Sequence, residues 1–438
     1  MEEMMISVRA HGAVGDGSTV DTKAFQAAIN AVGANGKVIV EPGQYLVGSI
    51  FLKSDMEFHL QEGAVLLGSK DIRNYPLIFS RVAGIEMDWP AAIVNVFDKK
   101  NVQITGTGII DGQGEYWWDK YWGTDGHGGL RKIYDSKNLR WVADYEIQRP
   151  RMILVFNSEN VEIQDFTAQR SGFWTVQITY SNRIHIHDIV IKDNLGPSTD
   201  GVDIDSSRQV LIENCVVSCN DDDIVIKSGR DADGLRVNRI CEDIEIRDCT
   251  ILSGAGITLG SEVAGGIRNI RIHNISFKNT DCGFRIKSSR FRGGFIENIF
   301  VENLKMLNVQ FPFSWLMDWF PEYNKMAILP EKLVRQHIPE YWKKIIEPVP
   351  IEKQGTHVKD IRICNVVSDF ELNYDKSSRA FDIQGFVDKP MKDIFFENVK
   401  IRAGEFGNII AVENFQLKNV VVSAKHCNQP ENDIYDHR

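Results

Sequence analysis

Along most of the chain, apolar and polar positions alternate with a period of two, and one phrase keeps returning. It runs NVQITGTGII from Asn101, NVEIQDFTAQ from Asn160, RIHIHDIVIK from Arg183, QVLIENCVVS from Gln209 and DIEIRDCTIL from Asp243. It continues as NIRIHNISFK from Asn269, NIFVENLKML from Asn298, DIRICNVVSD from Asp360 and DIFFENVKIR from Asp393. Each copy is a polar residue, an Ile/Val alternation, an Asn or Asp, and a second short apolar strand. From Asn160 to Asn298 the copies start 23, 26, 34, 26 and 29 residues apart. Strands repeating at such a period, with no helix inside the repeat, predict an all-β solenoid, a right-handed parallel β-helix. One coil cannot bury its own apolar face, so stacked coils share one core and residues 1–438 form one domain. Stacked strands lie ~4.8 Å apart, which makes residues one coil apart in sequence neighbours in space. An antiparallel sandwich, the alternative, needs hairpin turns every ~8–12 residues.

Three segments depart from the rhythm. TVDTKAFQAAINAVGANG places Phe25, Ala28, Ile29 and Val32 at helical spacing behind Asp21 or Thr22 as N-cap, predicting a short helix over the open edge of the first coil. Residues 113–149 hold Trp117, Trp118, Trp122 and Trp141, and residues 310–356 hold Trp315, Trp319 and Trp342. Insertions in a solenoid leave as loops on one side, often the binding side. Aromatic loops suit the C–H faces of sugars; the same rings also suit sealing a loop onto the coil.

Composition narrows the partners. A hydrophobic content of 43% with 25% charged residues is that of a globular protein, and a net charge of -10 argues against nucleic acid as the main partner. An acidic chain that binds an acidic polymer needs Arg and Lys concentrated at its site. The seven cysteines form neither a CxxC pair nor zinc spacing, and Cys215 and Cys249 occupy the same place in similar phrases, so they read as small core residues. No run of about 18 apolar residues occurs, so no membrane span is expected. The start, MEEMMISVRAHGAVGDG, lacks the regions of a signal peptide. The expected location is cytoplasmic for the chain as written, periplasmic or secreted if a leader was trimmed.

Candidate chemistry concentrates in STDGVDIDSSRQVLIENCVVSCNDDDIVIKSG, from Ser198. Asp200 precedes Asp221 and Asp222 by 21 and 22 residues, one short coil, so stacking sets them side by side. Further coils lead to Arg285 and Lys287, two apart on one strand and therefore on one side of it. Carboxylates thus meet a basic pair on one wall. Such a pair can hold a uronate carboxylate, Arg by its planar fork and Lys as a point charge. Among crowded acids one has its pKa raised and serves as general acid, while the others activate water. Inverting glycosidases divide labour this way, with carboxyls ~6.5–9.5 Å apart.

The chain resembles glycoside hydrolase family 28, the polygalacturonase or pectinase-like family, over nearly its whole length. HGAVGDGSTVDTKAFQAAI, VEPGQYLVGSIFLKS and LQEGAVLLGS are similar to the family's N-terminal region. Of the signatures Asn-Thr-Asp, Asp-Asp, Gly-His-Gly and Arg-Ile-Lys, the chain carries Ser198-Thr199-Asp200, Asp221-Asp222 and Arg285-Ile286-Lys287. The resemblance implies Asp221 as general acid, Asp200 and Asp222 as the water-activating pair, and Arg285 and Lys287 as binders of the substrate carboxylate. It implies no metal and no cofactor. Asp223 reads as a turn or coil-edge acid, Asp203 and Asp205 as supports, and Asn220 as a turn residue. In SGFWTVQIT, Gln177 stands where many pectinases place a histidine, and becomes a candidate substrate contact. Arg290, in an Arg- and Gly-rich run similar to that of bacterial exo-acting members, is a second; Arg292 reads as surface-solvated. Gly254-Ala255-Gly256 replaces Gly-His-Gly. Rhamnogalacturonan-cleaving members also lack that histidine, so the implied substrate is a pectic oligo- or polysaccharide of plain, decorated or rhamnogalacturonan type. The aromatic insertions suggest a blocked groove and exo action.

Two other readings use the same residues. In a β-helix polysaccharide lyase the aspartates would hold Ca²⁺ through oxygen and Arg285 would abstract the proton. In a non-catalytic carbohydrate-binding β-helix, binding would persist without turnover.

Overall fold

The recurrent Asn or Asp of each phrase marks a corner. Asn101, Asn160, Asp243, Asn269 and Asn298 all hold φ between 54 and 57°, in the left-handed region that Asn and Asp tolerate better than other side chains. Their amides then bond from coil to coil: Asn160 donates to Asn101 at 2.8 Å and Asn298 to Asn269 at 2.7 Å. A second ladder runs from Asn398 to Asn365 to Asn303 to Asn274 at 3.0 to 3.2 Å. The polar letter that interrupts each apolar run is therefore the residue that bends the chain into the next strand.

The computed structural model describes residues 5–126, 128–324, 338–372 and 374–424. They wind into a right-handed parallel β-helix. One sheet stacks eleven strands, from Ile50–Phe51 to Glu405–Ile410, all in parallel pairs. The other sheet takes the two remaining strands of each coil, such as Glu159–Gln164 and Thr167–Gln169. From Ile267–Lys278 onward these two run together into strands of 12 or 13 residues. Inward positions repeat in register: Ile184 lies beside Val210, Ile244 and Ile270 in successive coils, each at most 2% exposed. Each such side chain contributes roughly 1.5–3 kcal/mol by leaving water.

Seven described helices decorate the coil: α1 (Thr22–Ala31), α2 (Glu115–Trp122), α3 (Gly129–Ser136), α4 (Arg140–Glu146), α5 (Asp231–Val237), α6 (Pro321–Asn324) and α7 (Glu340–Ile346). Helix α1 buries Phe25, Ala28 and Ile29 in the main core, as its spacing predicts. Asp21 is its N-cap, through its backbone carbonyl on Phe25 N–H; its carboxylate makes no capping bond and instead accepts the N–H groups of Val14 and Gly15 at 2.8 and 3.0 Å. None of the described helices is long and apolar enough to cross a membrane.

The first aromatic insertion is mainly helical, the second contributes α6 and α7, and the two dock on each other. Trp141 of α4 meets Trp342 of α7 edge-on at 5.5 Å, and Glu146 accepts hydrogen bonds from Tyr341 and Trp342. The second insertion is shorter than the sequence suggests, because Phe311–Leu316 is a strand of the eleven-stranded sheet. The part of that segment at 325–337 lies outside the described residues. A third insertion, the antiparallel hairpin Leu77–Val82 and Ile85–Pro90, escaped the repeat pattern. The six described cysteines are free, and Cys215 and Cys249 are buried.

Candidate active site

The site is built by register in the eleven-stranded sheet. Gln177, Asp203, Val225, Thr258 and Arg285 are successive partners across five coils, all on the outer face. Just before these strands, Thr175 N–H bonds Asp200 O and Gly201 N–H bonds Asp222 O. One lap of chain therefore sets Asp200 against Asp222, with Asp221 beside them. Carboxylate oxygens of Asp200, Asp221 and Asp222 lie within 4.8 Å of one another. This is shorter than the ~6.5–9.5 Å of inverting pairs and nearer the ~5–5.5 Å of retaining ones. It also lets one water be gripped by two carboxylates, each at ordinary hydrogen-bond length.

Cations interleave with the acids. Lys287 Nζ lies 2.5 Å and Arg285 3.4 Å from Asp222, whose Oδ1 also accepts the Thr258 hydroxyl at 2.6 Å. Burial, the largest single influence on Asp222, pushes its pKa up; Lys287, Arg285 and Lys227 together outweigh it and hold the carboxyl below its ordinary range. Lys227 Nζ bonds Asp203 at 2.5 Å, reaches Asp200 at 3.3 Å and lies 4.1 Å over the Trp174 ring. Asp200 is 3% exposed, and burial followed by the charge of Asp203 raises its pKa well above the usual carboxylate value. Burial pushes Asp203 up to about 7 even against Lys227. Asp221 is half-buried at the cavity, with no ion pair within 4.0 Å among the described residues; one of its oxygens accepts the Asp222 N–H. It lines the cavity.

These groups face a cavity of about 500 Å³, within the range of small-ligand pockets. The first insertion lines it with Arg131, Arg140 and Asp144, and the second with Trp319, Phe320 and Tyr323. Arg140 stacks 5.5 Å over Phe320 and 5.3 Å over Tyr323, locking the two insertions together at the rim. Lys287 and Arg285 lie 4.6 and 5.6 Å from the Trp319 ring, so a bound sugar carboxylate would meet cations backed by an indole.

Two expected contacts are elsewhere. Gln177 is fully buried; it accepts from Arg151 at 2.7 Å and donates to Arg81 O and Thr179, which ties the 77–90 hairpin to the coil. Arg290 bonds Asp388 at 2.7 and 2.8 Å and packs 4.0 Å over Phe386, outside the cavity lining. Arg292 is not solvated: it is fully buried between Asp231 at 2.6 Å, Ser261 O at 3.0 Å and Asn324 at 2.6 Å, and braces the cavity floor. Asp205 pairs with buried Arg81 at 3.1 Å. Asp223 lies in the bend between two strands, as read, but is fully buried there, accepting from Gly256 N–H and from the Cys219 thiol.

Lys227 and Glu262 line the cavity with no motif to announce them. Lys227 is signalled only by register, two residues beyond Val225 on the strand that follows the acidic pair. Ala255 lines the cavity where the family signature has histidine. Its flanking glycines are retained for the backbone, since Gly254 and Gly256 hold φ of 89 and 72° and a Cβ on Gly256 would lie 2.3 Å from the carbonyl oxygen of Gly283.

Several known proteins resemble this chain. A probable polygalacturonase of Vitis vinifera is 33% identical over 72% of this chain and 65% of its own length. An exo-poly-alpha-D-galacturonosidase of Dickeya chrysanthemi is 26% identical over 70% of the chain and 55% of its own length, so the chain spans less than two thirds of these relatives. The crystal structure of a hyperthermoactive exopolygalacturonase from Thermotoga maritima superposes with a TM-score of 0.76 at 26% identity, covering 95% of this chain and 92% of that one. Residues 80–324 match the sequence model of Glycosyl hydrolases family 28, and that stretch contains all three carboxylates and the basic pair. The chain belongs to glycosyl hydrolases family 28.

Proposed function

We propose that this protein hydrolyses galacturonic-acid-containing pectic chains, releasing sugar from a chain end with inversion at the anomeric carbon. The observation that carries this reading is the pairing of Arg285 and Lys287 with Asp222 on the cavity floor, next to an Asp221 that makes no ion pair among the described residues. A uronate carboxylate is the anion that such a fork and point charge would bind. Asp221 delivers a proton to the glycosidic oxygen as the bond to the anomeric carbon breaks. Water held between Asp200 and Asp222 attacks that carbon from the other side and gives its proton to Asp222, the ionised member. As the substrate carboxylate draws Arg285 and Lys287 towards itself, their hold on Asp222 loosens and its basicity rises. Asp200, pushed towards its neutral form, orients the water by hydrogen bonding.

Exo action is supported by the interlocked insertions, which close the cavity rim at Arg140, Phe320 and Tyr323, and by the exo-acting names of two relatives. Ala255 in place of histidine puts decorated and rhamnogalacturonan-type chains beside homogalacturonan as substrates. A calcium-dependent lyase fits less well. A dication among Asp200, Asp221 and Asp222 would sit against the ammonium groups of Lys227 and Lys287 and the Arg285 guanidinium, whose charge already balances these acids.

The test is digestion of homogalacturonan, xylogalacturonan and rhamnogalacturonan oligomers, with products weighed by mass spectrometry, with and without chelator. Expected are saturated products shortened by one unit at a time, unaffected by chelator. Ultraviolet-absorbing unsaturated products lost with chelator would establish the lyase instead. Binding without any product, unchanged in Asp221→Asn, would establish a carbohydrate-binding module.

A further inference from the structure

Far from the cavity, the outer face of the second sheet carries a different cluster. His185 and His187 lie two apart on the strand Asn182–His187, and so point to one side. Glu162 is the register partner of His185 in the preceding coil, and Glu213 that of His187 in the following one. Ligand atoms of Glu162, His185 and His187 lie within 4.8 Å of one another. We propose that these three side chains bind a transition-metal dication of the zinc class on the outer wall of the β-helix.

The distances favour it. Glu162 Oε1 is 3.2 Å from His187 Nε2 and 4.0 Å from His185 Nδ1. Ligands held at ~2.0–2.2 Å around a tetrahedral ion lie roughly 3.4 Å apart, so small side-chain rotations complete the site. The remote nitrogens carry the stronger signal. His187 Nδ1 is 2.7 Å from Asp188 Oδ2, and His185 Nε2 is 2.9 Å from Glu213 Oε1. A carboxylate on the far nitrogen of each imidazole is the arrangement that metal-bound histidines adopt, because it fixes the tautomer and turns the lone pair towards the ion. Gln103 orients the carboxylate of Glu162 in turn, donating to its Oε2 at 2.7 Å. All three ligands are partly exposed, which gives an ion a path from solvent and leaves the fourth position to water. Two imidazoles and one carboxylate suit zinc, nickel or copper rather than calcium or magnesium, which prefer all-oxygen sites. An ion there would pin the coil of Glu162 to the coil of His185 and His187, and so act on stability rather than on catalysis.

Isothermal titration of the chelator-dialysed full chain with zinc chloride, paired with thermal melts, tests this. The wild type is expected to take up one ion per chain through this site and to melt higher with zinc. The His185→Ala/His187→Ala double variant should lose both effects. Asp188→Asn, a positioning change acting through His187, should weaken binding by about 10-fold or more. A zinc-free melting temperature near that of the wild type shows that the variants fold; Glu162→Gln serves if the double variant does not. Uptake of unchanged affinity and stoichiometry in the double variant or Glu162→Gln, or no uptake and no melting shift in the wild type, would overturn the proposal.

Discussion

The two sheets of this β-helix obey the same alternation, and both put charges on their outer faces, yet the proposed catalytic groups lie on only one of them. On the second sheet, Arg268 pairs with Glu242 at 2.7 Å with 45% of the Arg268 side chain exposed. On the eleven-stranded sheet, Lys287 pairs with Asp222 at 2.5 Å, with 7% and 1% exposed. Coil stacking makes charge ladders on both. Cover makes the difference: the hairpin at 77–90 and the two helical insertions exclude water from one face, so its charges interact strongly and shift each other's pKa values, while on the open face water screens them. The proposed active site is the stretch of ladder from which solvent was removed.

Several changes would break or sharpen that contrast. The largest effect belongs to Asp221→Asn, which removes the proton donor while keeping its shape. Turnover of galacturonan oligomers should fall by about 10²–10⁴-fold with binding retained, as read by steady-state kinetics and titration calorimetry. Lys227→Met comes next. It removes the ion-pair partner that Asp203 and Asp200 share among the described residues and should cost roughly 3–5 kcal/mol in chemical denaturation at pH 7. Asp203 also gives a pH signature. Its ordinary value is 3.8 and its folded value about 7. Between these the folded state binds a proton that the unfolded chain has released, so this group makes stability fall as pH rises from 4 to 7. Asp203→Asn should flatten that part of the curve by on the order of 1–4 kcal/mol, measured by melts across the pH range. The smallest effect should come from cutting an equivalent bridge on the open face: Arg268→Ala should change stability by at most about 1 kcal/mol, and less in high salt.

The winding itself was legible in the sequence because a β-helix writes each coil as a nearest-neighbour repeat: the corner Asn and Asp residues and the stacked isoleucines recur in every copy. The adjacency of Asp200 to Asp221 and Asp222 followed from coil length alone. The cover was not legible. The 77–90 hairpin has no repeat to be read against, and residues 113–149 and 310–356 announced aromatic mass without saying what it packs on. That is why Arg292 looked solvated and lies fully buried, and why Gln177 and Arg290 looked like substrate contacts and are engaged by Arg151 and Asp388. Lys227 went unseen for the opposite reason. A lone lysine on a strand is ordinary until the neighbouring coil supplies Asp203.

The account stands or falls on whether the covered acids act as a proton donor and a water-activating pair, and the anomeric form of the first product reads that out. Proton NMR during the first turnovers of an α-linked galacturonate oligomer by the wild type should show free β-galacturonic acid appearing before the α-form. Initial release of the α-anomer would mean a carboxylate attacked the sugar itself, and would contradict the assignment of Asp200 and Asp222 to a shared water.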